Sequence, residues 1–300
     1  MSWFVDNPII TAAIITAVAG ISVAIINKIR SNKKRRENSY VSIENNYGLT
    51  VKDVFELSML LFDENFPKLQ QIACDTAERR VDQLMKEVFH KLSENDYRNY
   101  ESFTDPDTQY VLFEAQKNYA RIGDDALKDL LVSLIYDRVN CEKSLLCVAL
   151  NEAIIATSKI LPKHYDHITL LFILHRTQHG EDEFRTIEDV KRDIEDSILP
   201  FINEKISYHD SLQMLSAGVA NKRDIPYGLD SLLRMKYGSI VTGYSFKDFV
   251  LLVPELYKLS SFNENALLGL IELTNSGVAI ALSNYNIKTN KHLSISKWIR

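Results

Sequence analysis

The sequence is poor in the residues that build loops and disulfide frameworks. Its 300 residues include only 10 glycines, 7 prolines and 3 cysteines. So few chain-breaking residues favour a helical bundle with short connections. The cysteines, Cys74, Cys141 and Cys147, are odd in number and lack the spacing of metal ligands. We therefore expect reduced thiols that pack as small apolar side chains in a reducing compartment.

The sequence also lacks the common catalytic signatures. It has no phosphate-binding GxxxxGK(S/T) loop, no GxSxG nucleophile elbow and no HExxH zinc pair. We predict that the protein is not an enzyme and that it uses neither a cofactor nor a metal.

Acidic residues outnumber basic ones, but not in every part of the chain. The whole sequence has 35 Lys and Arg against 40 Asp and Glu, whereas its first 36 residues hold six basic residues and one acidic. The rest of the chain is therefore strongly acidic. Because affinity for nucleic-acid phosphates comes from clustered Lys and Arg, such a body is a poor general nucleic-acid binder.

One long hydrophobic run stands near the start. Ile9–Ile26 carries no charge over eighteen residues, and a helix of that length spans about 27 Å, close to the thickness of a bilayer core. A cleavable signal peptide or a buried core helix is the alternative, but a signal peptide has its positive charges before the apolar run. Here six basic residues follow it: Lys28, Arg30, Lys33, Lys34, Arg35 and Arg36.

These features predict a single-pass protein of the bacterial inner membrane. We expect a short extracytoplasmic tail at 1–8, a transmembrane helix at 9–26 and a basic juxtamembrane segment and linker at 27–50. The positive-inside rule places everything after the helix in the cytoplasm. The six basic side chains are predicted to contact lipid headgroups.

Small residues form a stripe along the predicted transmembrane helix. Their spacing of four, three and four places Ala13, Ala17, Gly20 and Ala24 in one narrow sector. Helices in lipid make close contacts through small residues, so the stripe predicts packing against other copies in a homo-oligomer. The only hydroxyl side chains of the helix, Thr11, Thr16 and Ser22, are the candidate pore-lining residues.

Apolar residues repeat at helical spacing through the next part of the chain. Helices are predicted at 66–92, 107–121, 125–139, 142–160, 163–178 and 187–198. Pro67 is predicted at the first helical position of the first helix. Turn signals separate the later ones at Gly123 with Asp124, Leu161 with Pro162, Gly180 and Pro200. The expected fold class is mainly α, with a helical domain at 51–200.

The pattern changes after residue 200. The stretches 237–246 and 292–299 alternate like strands. A short apolar run, LIEL, is followed by Thr274, a candidate helix cap, and by Gly277, an order that resembles the end of many winged-helix domains. We predict a small C-terminal α+β module of winged-helix type at 201–300, which binds either DNA or another protein.

Three groups of polar residues allow a catalytic interpretation beside a structural one. The stretch DPDTQYVLFEAQK at 105–117 resembles a nuclease metal site, although Glu114 and Lys117 are separated by two residues instead of one. Asp105 or Asp107 as a helix cap is the simpler interpretation.

The other two groups contain histidine. The second is His164, His167, His175 and His179, and the third joins these to His209, Asp210 and Asp224. His175 and His179 are spaced to share a helix face and bind zinc, the alternative being surface or capping histidines. The third group resembles the His and Asp set of helical metal phosphohydrolases, the alternative being a cap at a helix start for its His-Asp pair.

Several stretches resemble a family of bacterial proteins with one N-terminal span and a helical cytoplasmic body. They are ENFPKLQQIACDTAERRVDQL at 64–84, DPDTQYVLFEAQKNYARIGDDALKDLLVSLIYDRV at 105–139, and LTNSGVAIA and KWI near the end. The chain is also similar to the membrane effectors of Hailong-type anti-phage systems. That resemblance implies an oligomeric ion-conducting effector. In those systems a nucleotidyltransferase partner makes a short DNA oligomer that controls the effector, so the resemblance also implies such a partner and ligand here.

We therefore expect an oligomeric single-span membrane effector of bacterial anti-phage defence, in which a ligand bound to the cytoplasmic body controls an ion pathway. The alternative is a membrane-tethered adaptor or DNA-binding regulator that uses the winged-helix-like end. A third is a metal-dependent phosphohydrolase. Salt-dependent binding of duplex DNA would indicate the second, and bound metal the third.

Overall fold

The computed structural model describes residues 51–94, 100–141, 144–177, 186–205, 207–238, 240, 243–262 and 267–299. The predicted transmembrane helix at 9–26 lies outside these residues. So do its stripe (Ala13, Ala17, Gly20 and Ala24), its hydroxyl residues (Thr11, Thr16 and Ser22) and the basic residues at 28–36. Within the described ranges, no helix combines the length and the apolar character that a membrane span requires.

The described chain is mainly helical. Its α-helices are α1 (Val51–Glu94), α2 (Pro106–Ile122), α3 (Asp125–Val139), α4 (Leu145–Ala156), α5 (Pro162–His175), α6 (Ile187–Asp193), α7 (Tyr208–Ser216), α8 (Leu229–Tyr237), α9 (Phe246–Leu252), α10 (Leu256–Phe262), α11 (Leu267–Leu270) and α12 (Asn275–Thr289). Strands β1 (Ala220–Lys222) and β2 (Ile271–Leu273) pair antiparallel, with Ala220 opposite Leu273. A π-helical turn covers Ile194–Ile198, and 3-10 turns cover Tyr100–Thr104, Thr157–Lys159, Leu199–Phe201 and Ile295–Lys297.

The chain divides into two units. The described part of the first contains α1 as far as Met85 and the last turn of α2 at 119–122. Within it, the Arg80 Nη1 donates a hydrogen bond to the carbonyl oxygen of Ala120 at 2.9 Å. The second unit contains the other described residues from Lys86 onward.

The helices predicted from apolar spacing are confirmed from α1 to α6, with ends that shift by a few residues except at the start of α1. The prediction for Pro67 is wrong, because α1 begins at Val51 and the proline lies inside it. A proline inside a helix removes one backbone hydrogen bond and does not have to end the helix. Residues 51–65 contain neither glycine nor proline, so helix continues on the N-terminal side of Pro67.

Side chains cap several helix starts, as the turn signals indicate. The Asp124 carboxylate accepts the backbone N–H of Leu127 at 3.0 Å and begins α3, directly after Gly123 with a left-handed φ of 69°. Thr274 accepts the N–H of Gly277 at 3.2 Å and begins α12, which confirms it as a cap. Each such bond satisfies a donor that the first helical turn leaves unpaired.

Helix α12 occupies the centre of the second unit. It packs against α5, α4 and α3, and its residues from Ser276 to Tyr285 are all buried. At its start, a Cβ atom on Gly277 would lie 2.0 Å from the carbonyl oxygen of Val219. The Thr274 hydroxyl donates to the carbonyl oxygen of Gly218 at 2.8 Å. Only glycine therefore lets α12 approach the segment that leads into β1.

The strands do not lie where the alternation predicted them. The described residues of 237–246 contain no strand, and 292–299 contains a 3-10 turn at Ile295–Lys297 in place of a strand. In that second stretch Ile295 and Ile299 are buried, a spacing of four that suits a helical turn better than a strand. The turn places Trp298 edge-on against Phe172 of α5, with ring centroids 4.9 Å apart.

The cysteines also differ from the prediction. Cys141, just after α3, and Cys147 in α4 form a disulfide, whereas Cys74 is free. The expectation of three reduced thiols is therefore wrong. The two cysteines are six positions apart in the sequence, and their Cα atoms are 5.9 Å apart. The short connection between two packed helices brings the sulfur atoms together, which the spacing of cysteines in a sequence does not reveal.

Candidate functional site

A buried carboxylate organises the polar contacts between α5 and α12. Asp166 of α5 is 9% exposed. Its oxygens accept hydrogen bonds from the Lys288 ammonium at 2.6 and 2.7 Å and from the Asn203 amide at 2.7 Å. The Asn284 amide donates to it at 3.1 Å and to Thr169 at 2.9 Å. We call Asp166, Thr169, Asn203, Asn284 and Lys288 the polar seam.

Aromatic rings and a second lysine extend this region beyond the C-terminal end of α12. Phe201 and Tyr285 stack with ring centroids 5.8 Å apart and planes inclined by 18°. The Lys288 ammonium lies 5.7 Å from the Phe201 ring centroid, and the Lys291 ammonium 5.8 Å from that of Tyr285. Ser197 lies beside Tyr285, with 3.3 Å between their hydroxyl oxygens. Both lysines therefore belong to one surface.

Local structure explains how these side chains meet. Tyr285 and Lys288 are three residues apart, so they share a face of α12. Asn290 adopts a left-handed φ of 52° and ends the helix immediately before Lys291. Ser197 comes from the π-helical turn Ile194–Ile198, a type of turn that is rare and frequently found at functional sites. This region is the strongest candidate for a binding site in the described chain.

The structure brings His164 and Asp210 together, but as a structural pair. His164 Nδ1 accepts the backbone N–H of Leu161 at 3.1 Å, so Nε2 carries the proton and donates to Asp210 at 3.0 Å. The Lys163 ammonium lies 2.8 Å from the same carboxylate oxygen, and Ser207 donates its N–H to the other oxygen at 2.8 Å. Asp210 thus completes the cap of α7, which confirms the structural interpretation.

The electrostatics of Asp210 agree with that role. Burial alone would raise the pKa of its carboxyl group, but hydrogen bonds from Lys163, His164 and Ser207 outweigh it and hold the pKa well below its usual range. The carboxylate is ionised and shared among these donors.

Two further histidines of α5 are held in the neutral form. Burial and the neighbouring His164 lower the pKa of His167 to about 3. Burial and the Arg223 guanidinium lower the pKa of His175 to about 4. His175 Nε2 donates to the Leu268 carbonyl oxygen at 2.8 Å, while its Nδ1 accepts from Arg223 at 3.0 Å. His175 is therefore an internal hydrogen-bonding residue. The interpretation of it as a surface or capping histidine is wrong.

The remaining members of the histidine groups do not join these residues. His209 and Asp224 are both exposed, and His179 lies outside the described residues. Among the residues that the structure describes, no three His, Cys, Asp or Glu side chains are placed to hold one metal ion.

The nuclease-like stretch serves helix capping and ion pairing. Asp105 accepts the backbone N–H of Thr108 at 3.1 Å and caps α2, as the simpler interpretation predicted. Asp107 instead accepts from the Arg138 guanidinium at 2.7 Å and the Asn151 amide at 2.8 Å. The other two residues of the nuclease-like stretch, Glu114 and Lys117, form an ion pair at 2.6 Å within α2.

The polar seam was not predicted from the sequence. Asp166 and Lys288 are 122 residues apart, and only the packing of α5 on α12 makes them neighbours. One signal was present: Asn284 and Lys288 stand four residues apart on one face of α12. A polar pair at that spacing, in a helix buried on most sides, indicates an internal partner.

Comparison with known families places the chain in one of them. Residues 48–265 match a protein-family model described as ":-like". The chain belongs to that family. The matched region covers α1 to α10 and ends before α12, so it includes Asp166, Ser197, Phe201 and Asn203 of the site. No curated protein matches the chain. No solved structure matches it either.

Proposed function

We propose that the protein is an oligomeric single-span membrane effector of bacterial anti-phage defence. In this proposal the N-terminal helices of several copies form or gate an ion pathway, and a ligand bound to the cytoplasmic body controls it. A short DNA oligomer from a nucleotidyltransferase partner is the ligand that the resemblance implies. The proposal rests most on one observation, the uncharged run Ile9–Ile26 with its small-residue stripe and the basic residues that follow.

Physical chemistry supports the oligomeric pore of this proposal. One helix encloses no pore, so an ion pathway in lipid needs several copies around an axis. The stripe that contains Ala17 and Gly20 offers the close helix contacts that such an assembly needs. In the body, candidate catalytic side chains such as Asp105 and Asp210 cap helices, a structural role that suits a binding domain.

The decisive experiment enlarges the stripe and leaves the body unchanged. Ala17→Leu and Gly20→Leu add bulk where helices are proposed to touch, whereas Ala19→Leu makes an equal change well outside the stripe. We expect the first two variants to lose oligomers in detergent and membrane depolarisation in cells, measured by light scattering and a potential-sensitive dye. The Ala19→Leu control should keep both.

Two results would contradict the proposal. One is intact wild-type chain in the soluble fraction after cell breakage. The other is a wild-type protein that is monomeric in detergent and leaves the membrane potential unchanged. Ultraviolet absorbance of the purified complex gives a further check, because a copurified DNA oligomer adds absorbance near 260 nm, in the region where nucleic-acid bases absorb.

A further inference from the structure

The Lys291 ammonium is held in place by neutral groups. It lies 3.3 Å from the Tyr285 hydroxyl oxygen and 3.4 Å from the Ser197 hydroxyl oxygen. Those two oxygens are themselves 3.3 Å apart, so the three polar atoms form a triangle. Tyr285 and Ser197 are buried, whereas Lys291 is exposed. The charged atom therefore stands at the surface, above two hydroxyl groups that are fixed by packing.

Charge distinguishes Lys291 from its neighbour Lys288. Asp166 neutralises the Lys288 ammonium through two contacts of 2.6 and 2.7 Å. No carboxylate within the described ranges forms an ion pair with Lys291, although Glu195 and Asp196 are exposed on the nearby π-helical turn. An ammonium has three N–H donors, and two hydroxyl contacts leave one for an acceptor outside the protein.

We infer that Lys291, Ser197 and Tyr285 form a binding site for a phosphate group. Lys291 supplies the charge, and the hydroxyl groups of Ser197 and Tyr285 hold its ammonium and offer a further donor. Hydrogen bonds between an ammonium and a phosphate oxygen are charge-assisted and stronger than neutral ones. We call these three residues the phosphate site.

The side chains of the phosphate site need little rearrangement to bind an anion. Tyr285 is fixed by its stack on Phe201, and Lys291 lies over the Tyr285 ring, so the ammonium is already positioned before binding. The Lys288 ammonium lies over the adjoining ring of Phe201 and is already paired with Asp166, so Lys291 alone supplies the charge of the site. The site deepens the proposed function by giving its ligand a place to bind. It rests on the proposed function only in taking the phosphate to be part of a nucleotide ligand.

Calorimetric titration of the full chain in detergent tests the site with two probes. They are inorganic phosphate and a single-stranded DNA of about six nucleotides, a length that fits one protein groove. We expect Lys291→Gln to bind each probe at least roughly tenfold more weakly than wild type, because a charge-assisted hydrogen bond is lost. Tyr285→Phe keeps the ring stack and removes the hydroxyl, and we expect a smaller loss of several-fold.

A matched control separates the site from general charge. Lys222→Gln removes one positive charge from β1, which lies near the start of α12, about 20 Å along the helix from Lys291. It should bind both probes like wild type. Thermal unfolding of every variant verifies that the body is folded.

The binding measurements decide whether the phosphate site exists. Absence of phosphate binding by wild type, or equal binding by Lys291→Gln and Lys222→Gln, overturns the site. Binding of inorganic phosphate without binding of the DNA supports the site and makes a smaller phosphate compound its ligand. If Lys291→Gln loses binding while the wild type leaves the membrane potential unchanged, the site stands and the proposed effector function fails.

Discussion

Asp166 of α5 and Lys288 of α12 form an ion pair of 2.6 Å across 122 residues of sequence. The pair joins the central helix of the second unit to one of its main neighbours. Because Asn203 and Asn284 also donate to Asp166, this carboxylate is the acceptor that the donors of the polar seam share. If the Asp166 carboxylate is removed, those donors lose the charged acceptor that they share.

Asp166→Asn therefore tests the polar seam. We expect it to lower the free energy of unfolding by about 1–2 kcal/mol, because the buried Asn284 amide loses its charged acceptor, whereas the exposed Asn203 and Lys288 can turn to water. The matched control is Asp230→Asn, which breaks a half-exposed pair with Arg234 one helical turn away and should cost less than about 1 kcal/mol. Denaturant titration measures both, and equal losses would contradict this role for Asp166.

Gly277→Ala tests the close approach of α12 to the chain before β1. The added methyl group meets the Val219 carbonyl oxygen at 2.0 Å, far inside contact distance. We expect a loss of at least roughly 2 kcal/mol, because backbone has to move. Gly243→Ala places its methyl in open space and should leave the melting temperature nearly unchanged. A stable Gly277→Ala protein would show that α12 can shift without cost.

Asp137 makes the stability of the protein depend on pH. Burial raises the pKa of its carboxyl group from 3.8 to about 6, against the opposing charge of Lys91. Folded protein therefore keeps this proton at a pH where the unfolded chain has lost it. The stabilisation is present below about pH 4 and is lost as pH rises through about 6.

The size of this effect is roughly 2–3 kcal/mol, from about 1.4 kcal/mol for each pKa unit. Unfolding free energies of wild type and Asp137→Asn, measured at steps between about pH 4 and pH 7, provide the test. The decline should be smaller in Asp137→Asn, whereas the exposed control Asp125→Asn should follow wild type. Parallel curves for wild type and Asp137→Asn would refute the assignment.

Thiol labelling tests the cysteine pairing. In unfolded protein that was never reduced, a maleimide reagent should label Cys74 alone, since Cys141 and Cys147 are bonded to each other. Reduction before labelling should raise the number of labelled residues to three. Mass spectrometry counts the labels, and Cys74→Ser serves as the control with none before reduction. Three labels in unreduced wild type would exclude the disulfide.

Local features of the sequence predict most of the helices but little of the candidate site. Apolar spacing predicts α2 to α6, and side-chain chemistry predicts the caps at Asp105 and Thr274. Both depend on residues three or four apart, which a sequence displays directly. The same reasoning fails for 292–299, where alternation hides the helical spacing of Ile295 and Ile299.

The polar seam and the phosphate site escape prediction for a different reason. Asp166, Ser197 and Lys291 come from three separate parts of the chain, and none stands in a recognisable motif. Their contacts depend on how α5 and α12 pack and on a π-helical turn, which no local propensity specifies. The disulfide between Cys141 and Cys147 was not predicted either, because it depends on how the end of α3 and the start of α4 lie in the folded chain.

The position of α12 at the centre of the second unit has a consequence for biosynthesis. Helices α3, α4 and α5 leave the ribosome well before residues 275–289, against which they pack. Until α12 is translated, the nascent chain exposes the apolar faces that this helix later covers, a state prone to aggregation. The second unit therefore cannot finish folding until α12 has been synthesised. We expect chaperones that hold nascent chains to bind it during that interval.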